Sequence, residues 1–201
     1  MDTVVAATKN KHKIIEIEAI TSLFGMKVIS RAEAGVPDVE VEETGETFEE
    51  NSLIKAEEIM KLCGKVTIAD DSGLEVDCIG GAPGVYSSRF AGTDGDDEAN
   101  NAKLIDMIKD VPWEERTARF VSVITMVFPD GDKLIARGTV EGHVIPEIRG
   151  EAGFGYDPLF IPEGHTRTFG EFPPEEKNSI SHRGNALRKL KELLDEKLAG
   201  C

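Results

Sequence analysis

Two aspartates, Asp70 and Asp71, follow a short apolar run, Val66 to Ala69, and lead through Ser72 into Gly73. The run reads as a buried strand and the Asp-Asp-Ser-Gly as a turn, which puts two carboxylates at a strand end. Carboxylates side by side repel, so the pair points to a bound cation, a shared proton or plain solvation. Glu75, Val76 and Asp77 then alternate like a strand, and Gly80, Gly81, Pro83 and Gly84 set a tight loop before Tyr86, Arg89 and Phe90. Alone, such an acidic turn is ordinary turn chemistry. A site needs complementary groups elsewhere in the chain.

Cations gather at both ends of the chain. Thr8, Lys9, Asn10, Lys11, His12 and Lys13 stand between a short apolar strand, Thr3 to Ala7, and a helical pattern at Ile14, Ile17, Ile20, Leu23 and Phe24. Backbone N–H groups at a helix N-terminus favour an anion, and three lysines there oppose the helix dipole unless an anion joins them. His182 and Arg183 stand in the same relation to a last helix begun by Ser179 or Ser181, with Leu187, Leu190, Leu194 and Leu198 on one face. An anion or a keto oxygen beside them would resolve the same conflict. No GxxxxGK[ST] or GxGxxG pattern occurs, which excludes a P-loop or a dinucleotide fingerprint.

The elements between these ends position the remaining candidates. Gly25 ends the first helix and Met26 to Ile29 is a second strand, so the chain opens as a strand-helix-strand unit of an α/β fold. Thr47 and Glu50 have capping-box spacing, and the helix they begin runs to about Cys63, stopped by Gly64, with Leu53, Ala56, Ile59, Met60 and Cys63 as its buried stripe. Lys55 in its middle reads from pattern alone as a surface lysine. Glu42 and Glu43 before it are solvated, or are oxygen ligands that join Asp71 around magnesium. Asp96 or Asp97 caps a third helix through about Ile108, with Leu104, Ile105 and Ile108 inward. Thr117 to Phe128 is apolar on both alternating sets, a central strand covered on both faces, and Pro129 to Asp132 turns it into a second, Lys133 to Val144. That hairpin is antiparallel and makes the sheet mixed. Phe154, Gly155, Tyr156 and Asp157 form a glycine-flanked loop in which the rings are either a base-stacking platform or core plugs. Glu171 to Asn178 reads as a charged loop carrying Lys177.

With 201 residues, 40% hydrophobic and 30% charged, the chain can bury a sizeable core as one domain, or as two lobes sharing one. A net charge of -15 argues against nucleic-acid binding and leaves a small anion held by a local basic cluster. No apolar stretch reaches membrane length and the N-terminus has no signal core, which predicts a soluble, cytosolic protein. Cys63, Cys78 and Cys201 lack disulfide or zinc spacing and are expected to be reduced.

TKNKHK, VEETGETFEENSLIKA, ADDSGLEVDCIGGAPGVYSSRFAG, GFGYDPLF and SHRGNAL, in this order, resemble the inosine triphosphate pyrophosphatase (XTP/dITP diphosphatase) family over nearly the whole chain. Lys9 stands where the bacterial members usually carry glycine. The resemblance implies Mg2+-dependent hydrolysis of ITP, dITP and XTP to the monophosphate and pyrophosphate. It also implies an elongated mixed α/β sheet flanked by helices, two lobes with a central cleft, and a cytoplasmic homodimer. Carried over by motif, Thr8 to Lys13 and Lys55 hold the triphosphate, Glu42 or Glu43 with Asp71 holds magnesium, and Asp71 is the base for the attacking water. Ser72 and Lys177 contact substrate, Phe154 to Asp157 form the base pocket, and His182 with Arg183 reads the purine. Two rivals remain: a magnesium-dependent nucleotide phosphatase releasing inorganic phosphate, and a nucleotide-binding module without turnover.

Overall fold

The computed structural model describes residues 3–200. Six strands form one sheet in the order β2-β1-β3-β4-β5-β6: β1 (Thr3–Ala6), β2 (Lys27–Ile29), β3 (Thr67–Val76), β4 (Thr117–Val127), β5 (Lys133–Val144) and β6 (Phe160–Pro162). β1 lies parallel to β2 and to β3, while β5 and β6 are antiparallel, so the sheet is mixed. The principal helices are α1 (Lys11–Ser22), α2 (Phe48–Cys63), α3 (Asp97–Ile108), α4 (Pro174–Ile180) and α5 (His182–Ala199). Cys201, the third cysteine expected to be reduced, lies outside the described residues. Among those residues, no helix is long and apolar enough to cross a membrane.

The chain divides into two compact units. The first holds the residues up to Asp71, Ser122–Gly138 and those from Arg183 onward; the second holds Ser72–Val121 and Thr139–His182. In the first unit, strand alternation sorts the core into two layers. Val4, Ala6, Ile68, Ile124 and Met126 pack with Ile17 and Ile20 of α1 and with Leu187, Leu190 and Leu194 of α5. Val5, Ala7, Ala69 and Val127 pack with Ala56 and Ile59 of α2. Successive side chains of a strand point to opposite faces, so each strand here serves both layers and must be apolar throughout. The second unit has a single aromatic-rich core, including Leu74, Leu104, Phe120, Tyr156, Phe160, Phe169 and Phe172.

Helix ends follow their local chemistry. Thr47 and Glu50 complete a reciprocal capping box on α2, and Gly64 closes that helix in the left-handed conformation at φ 62°. Asp96 caps α3 by accepting the Ala99 N–H. Three expectations are corrected. The Asp-Asp-Ser-Gly is no turn: β3 runs straight through it, because backbone pairing with its neighbours outweighs local turn propensity. Of the loop expected from Glu171 to Asn178, residues 174–178 belong to the short helix α4, with Pro174 in its first turn and Glu175 and Glu176 favourably placed on the dipole. Leu23 and Leu198, placed on buried stripes, are 81% and 55% exposed, since each lies at the end of its helix where the stripe runs past the core.

Candidate functional site

The aspartates do not sit side by side. Because β3 continues through them, Asp70 falls on the face of Ile68, towards α1 and α5, and Asp71 on the face of Ala69, towards α2. Alternation thus separates charges that a turn would have juxtaposed, and each makes its own ion pairs.

Asp70 is 1% exposed. Its Oδ2 meets Lys13 Nζ at 2.8 Å and Arg183 Nη2 at 3.1 Å, and its Oδ1 accepts the Ser122 hydroxyl at 2.6 Å. Arg183 is held from its other side by Glu16, one turn beyond Lys13 on α1. Burial by itself would raise the Asp70 carboxyl, but Arg183 and Lys13 hold it well below the usual carboxylate range. Asp70 is therefore held in its anionic form down to lower pH than an ordinary carboxylate.

Asp71 is 6% exposed. Its Oδ1 accepts Lys55 Nζ at 2.7 Å, and the same ammonium lies 2.8 Å from Glu43 Oε1. Its Oδ2 is buried and has no hydrogen-bond partner among the described residues. Here burial prevails, and despite Lys55 and Lys13 the carboxyl is raised above its ordinary value. Two carboxylates next to each other in sequence are so driven apart in acidity. Lys55, which reads as a surface lysine from pattern, is buried between Asp71 and Glu43 with its ammonium held charged. Burial of Lys55 opposes that charge and the two carboxylates restore it.

The loop before α1 is tighter than its composition suggests. Asn10 caps the helix, its Oδ1 accepting the His12 and Lys13 N–H groups, and Thr8 Oγ1 accepts the Asn10 N–H. Two of the N–H groups expected to face an anion are thereby used by Asn10. Lys9, Lys11 and His12 are exposed, and Lys9 pairs with Asp38 and Glu40. Among the described residues every positive φ belongs to glycine, so Lys9 occupies ordinary backbone and no glycine is required there. Both partners of Lys9 are almost fully exposed, so Lys9→Gly is expected to leave the midpoint of thermal unfolding unchanged, and any measurable fall would show that the pair matters.

In the second unit, Lys177 of α4 pairs with Asp157 at 2.6 Å, both side chains almost completely buried. Asp157 Oδ2 also accepts the Phe154 N–H at 2.9 Å, and Lys177 Nζ lies 5.0 Å from the Phe154 ring centroid. Gly153 fits this knot because a Cβ there would come within 2.0 Å of Asp157 Oδ2. Gly155 is tied through its N–H to Asp97 and through its carbonyl to Asn101. Of the two rings in this loop, Tyr156 is a core plug whose hydroxyl donates to the Ser87 carbonyl at 2.7 Å, while Phe154 is half-buried. His182 is buried and stacked on Phe120 with centroids 4.7 Å apart, and Ser72 is half-buried on β3. Tyr156→Phe is expected to cost about 0.5–1.5 kcal/mol of stability, the worth of one buried hydrogen bond, measured by denaturant unfolding.

Pattern reading missed Glu16 and Ser122. Both left a signal: Glu16 follows Lys13 by one helical turn, and Ser122 is a hydroxyl inside the apolar run of β4, where a buried polar group must find a partner. Glu42 is exposed, whereas Glu43 is half-buried on Lys55, which favours Glu43 of the two. No group of three or more His, Cys, Asp or Glu is gathered as a metal cage among the described residues. The oxygens present, Glu43 and the unpartnered Asp71 Oδ2, nonetheless suit a hard divalent cation such as Mg2+, which characteristically takes one or two carboxylates and completes its shell with water and substrate phosphate.

Comparison with known proteins places this arrangement. The Ham1 family model matches residues 4–193. The chain belongs to the Ham1 family. Among Ham1 relatives, the dITP/XTP pyrophosphatase of Bacillus cereus is 46% identical over 203 residues, spanning 100% of this chain and 98% of the relative. That of Clostridium perfringens is 48% identical over 200 residues, spanning 96% and 98%. The Ham1 protein structure from Staphylococcus aureus superposes with a TM-score of 0.84 at 42% identity, covering 97% of this chain and 99% of the other. The structure from Coxiella burnetii gives 0.85 at 40%, covering 98% and 100%.

Proposed function

We propose that this protein hydrolyses deaminated purine nucleoside triphosphates, ITP, dITP and XTP, to the nucleoside monophosphate and pyrophosphate. The division of labour within the aspartate pair carries the reading: a buried carboxyl whose pKa is raised by burial, with one unpartnered oxygen, stands next in sequence to one clamped in its anionic form by Lys13 and Arg183. Relatives at 46–48% identity that bear the name dITP/XTP pyrophosphatase support the substrate class.

Attack of water at the α-phosphorus needs a proton acceptor, neutralised phosphate oxygens and a leaving pyrophosphate held by cations. Asp71 takes the water proton, burial having raised its carboxyl above the ordinary value. Lys55 orients Asp71 from the other oxygen, and Lys13, anchored on Asp70, presents its remaining donors to the triphosphate with Thr8, Lys9, Asn10, Lys11 and His12 around it. Mg2+, held by Glu43 and Asp71, would supply charge neutralisation on the phosphate oxygens. Ser72 and Lys177 complete the substrate contacts. Phe154 offers a stacking ring within the 154–157 loop, and Lys177 and Asp157 brace that loop from behind.

Base selection follows from donors. His182 and Arg183 open α5, and the ion pairs with Asp70 and Glu16 fix the guanidinium plane. A 6-keto purine offers an acceptor to such donors, whereas adenine offers a 6-amino donor and leaves both sides unpaired, at roughly 1–3 kcal/mol per group. A homodimer in the cytoplasm completes the reading and rests on the family likeness.

The test is product analysis with Mg2+ and a panel of ITP, XTP, dITP and the four ordinary deoxynucleoside triphosphates. Pyrophosphate with dIMP from dITP is the expected result. Inorganic phosphate with dIDP would make the protein a nucleotide phosphatase, and binding of ITP without turnover would make it a binding module.

A further inference from the structure

Two residues of the segment around the α2 N-terminus, Gly45 and Asn51, have no part in the chemistry above, yet they hold residues that do. Asn51 lies in α2 and has no exposed surface. Its Oδ1 accepts the Gly45 N–H at 2.8 Å. Glu50 beside it accepts the N–H groups of Glu46 at 2.7 Å and Thr47 at 3.1 Å. Three successive amides of the incoming chain thus end on side chains from the start of α2, where a capping box provides for one of them.

Close packing reinforces the clamp. A Cβ on Gly45 would lie 2.6 Å from Glu50 Cβ and 2.7 Å from Asn51 Oδ1, so only glycine lets the chain seat this deeply. Asn51 Nδ2 is buried and has no hydrogen-bond partner among the described residues. An orphaned buried donor opposes folding, so an amide at this position is a poor choice on grounds of stability alone. Its useful end is the oxygen on Gly45.

The clamp connects to the site through short links. Two residues before Gly45 stands Glu43, whose carboxylate meets Lys55. One helical turn after Asn51 stands Lys55 itself, bridging to Asp71. Between them Ser52 Oγ lies 2.7 Å from Thr125 Oγ1 and 3.4 Å from the Ala69 carbonyl, the residue just before the aspartates. α2 is therefore pinned to β3 beside the aspartates, and the 43–47 chain is pinned to α2.

We infer that Asn51 is a positioning residue: by clamping Gly45 onto α2 it fixes where Glu43 stands beside Lys55 and Asp71. It touches no reacting atom and acts through Glu43. The inference rests on the hydrolytic reading above and adds to it a buried residue outside the substrate contacts. A loosened clamp leaves the triphosphate-holding lysines in place and misplaces one carboxylate, so it lowers turnover more than affinity.

The experiment compares Asn51→Ala, Gly45→Ala and the double variant, each full length and with its unfolding midpoint measured. For dITP with Mg2+, each single variant is expected to lose roughly tenfold to a hundredfold in kcat while KM stays within about threefold, the signature of misplaced geometry. Asn51→Ala removes the acceptor of one hydrogen bond and Gly45→Ala pushes its donor away, so the double variant is expected to be about as slow as the slower single one. Hydrogen exchange at the Gly45, Glu46 and Thr47 amides should speed up in both single variants while that of β3 does not. Unchanged kcat in a folded variant, losses that multiply in the double, or unchanged exchange at these amides would each overturn the clamp. If the unaltered protein released no pyrophosphate from dITP, the hydrolytic reading would fall, and the exchange measurement would decide the clamp by itself.

Discussion

Replacement of Asp71 by asparagine is expected to lower kcat for dITP hydrolysis by about 10²–10⁴-fold, the usual worth of a general base, while the protein stays folded. The amide preserves shape and an acceptor for Lys55, whose ammonium keeps Glu43 as its counter-charge, so no cation is stranded. What disappears is the open, desolvated oxygen that can take a proton. The pH dependence gives the sign. Asp71 has a folded-state pKa raised by burial, so it becomes a base only as pH climbs through a value above the ordinary carboxylate one near 3.9. In the metal-free protein the carboxyl therefore titrates above a solvated aspartate, and Asp71→Asn removes that titration. Stability moves the other way. A raised folded-state value favours the fold below the unfolded-state value and loses that contribution as pH rises through the folded one, so near neutrality the wild-type charge is a burden. Asp71→Asn is expected to unfold at the same or a higher temperature than wild type, a trade of stability for activity familiar at active sites. Near-normal turnover by the folded variant would remove Asp71 from the catalytic role.

The extent to which the chain could be read in advance differs between its elements and its site, for physical reasons. Long elements announced themselves because their signals are local and repeated. The capping box at Thr47 and Glu50, the glycine stop at Gly64 and the doubly apolar β4 were all legible. The aspartate pair was legible as chemistry and misread as geometry. Asp-Asp-Ser-Gly has the composition of a turn, and only pairing with strands distant in sequence keeps it extended. That single change reverses the electrostatic argument, since alternation along a strand puts Asp70 and Asp71 on opposite faces. Lys55 illustrates a different limit. Helical periodicity gives the face of a residue, but it cannot announce that Glu43 and Asp71 lie within reach of the ammonium. Glu16 and Arg183 are 167 positions apart, and no local pattern joins them. Where pattern left two readings of a loop open, burial decided: Tyr156 fills the core, and the neighbouring Phe154 keeps part of its ring in solvent.

Asp70→Asn should be the most destabilising of the site substitutions, costing about 3 kcal/mol, the low end of what breaking a buried ion pair costs. Arg183 is 1% exposed and cannot withdraw into solvent, so losing the Asp70 charge removes one of the carboxylates that balance its guanidinium, while Glu16 stays. Glu16 is what keeps the cost from the top of the range. Lys13 fares better, because its side chain retains 15% exposure and can turn to water. The Ser122 hydroxyl still finds an oxygen on the amide, so the loss is one of charge and not of a hydrogen bond. The pH profile separates this explanation from simple misfit. Asp70 has a depressed folded-state value, so its contribution is present above the unfolded-state value near 3.9 and is lost as pH falls through the folded one. Wild-type stability should therefore fall on acidification below about pH 4 more steeply than that of Asp70→Asn, and the two denaturation curves should converge in acid. A constant gap between them at every pH would assign the loss to packing. The same variant separates Asp70 from its neighbour in function: with Lys13 released, KM for dITP should change along with kcat, whereas Asp71→Asn acts on kcat through the missing base.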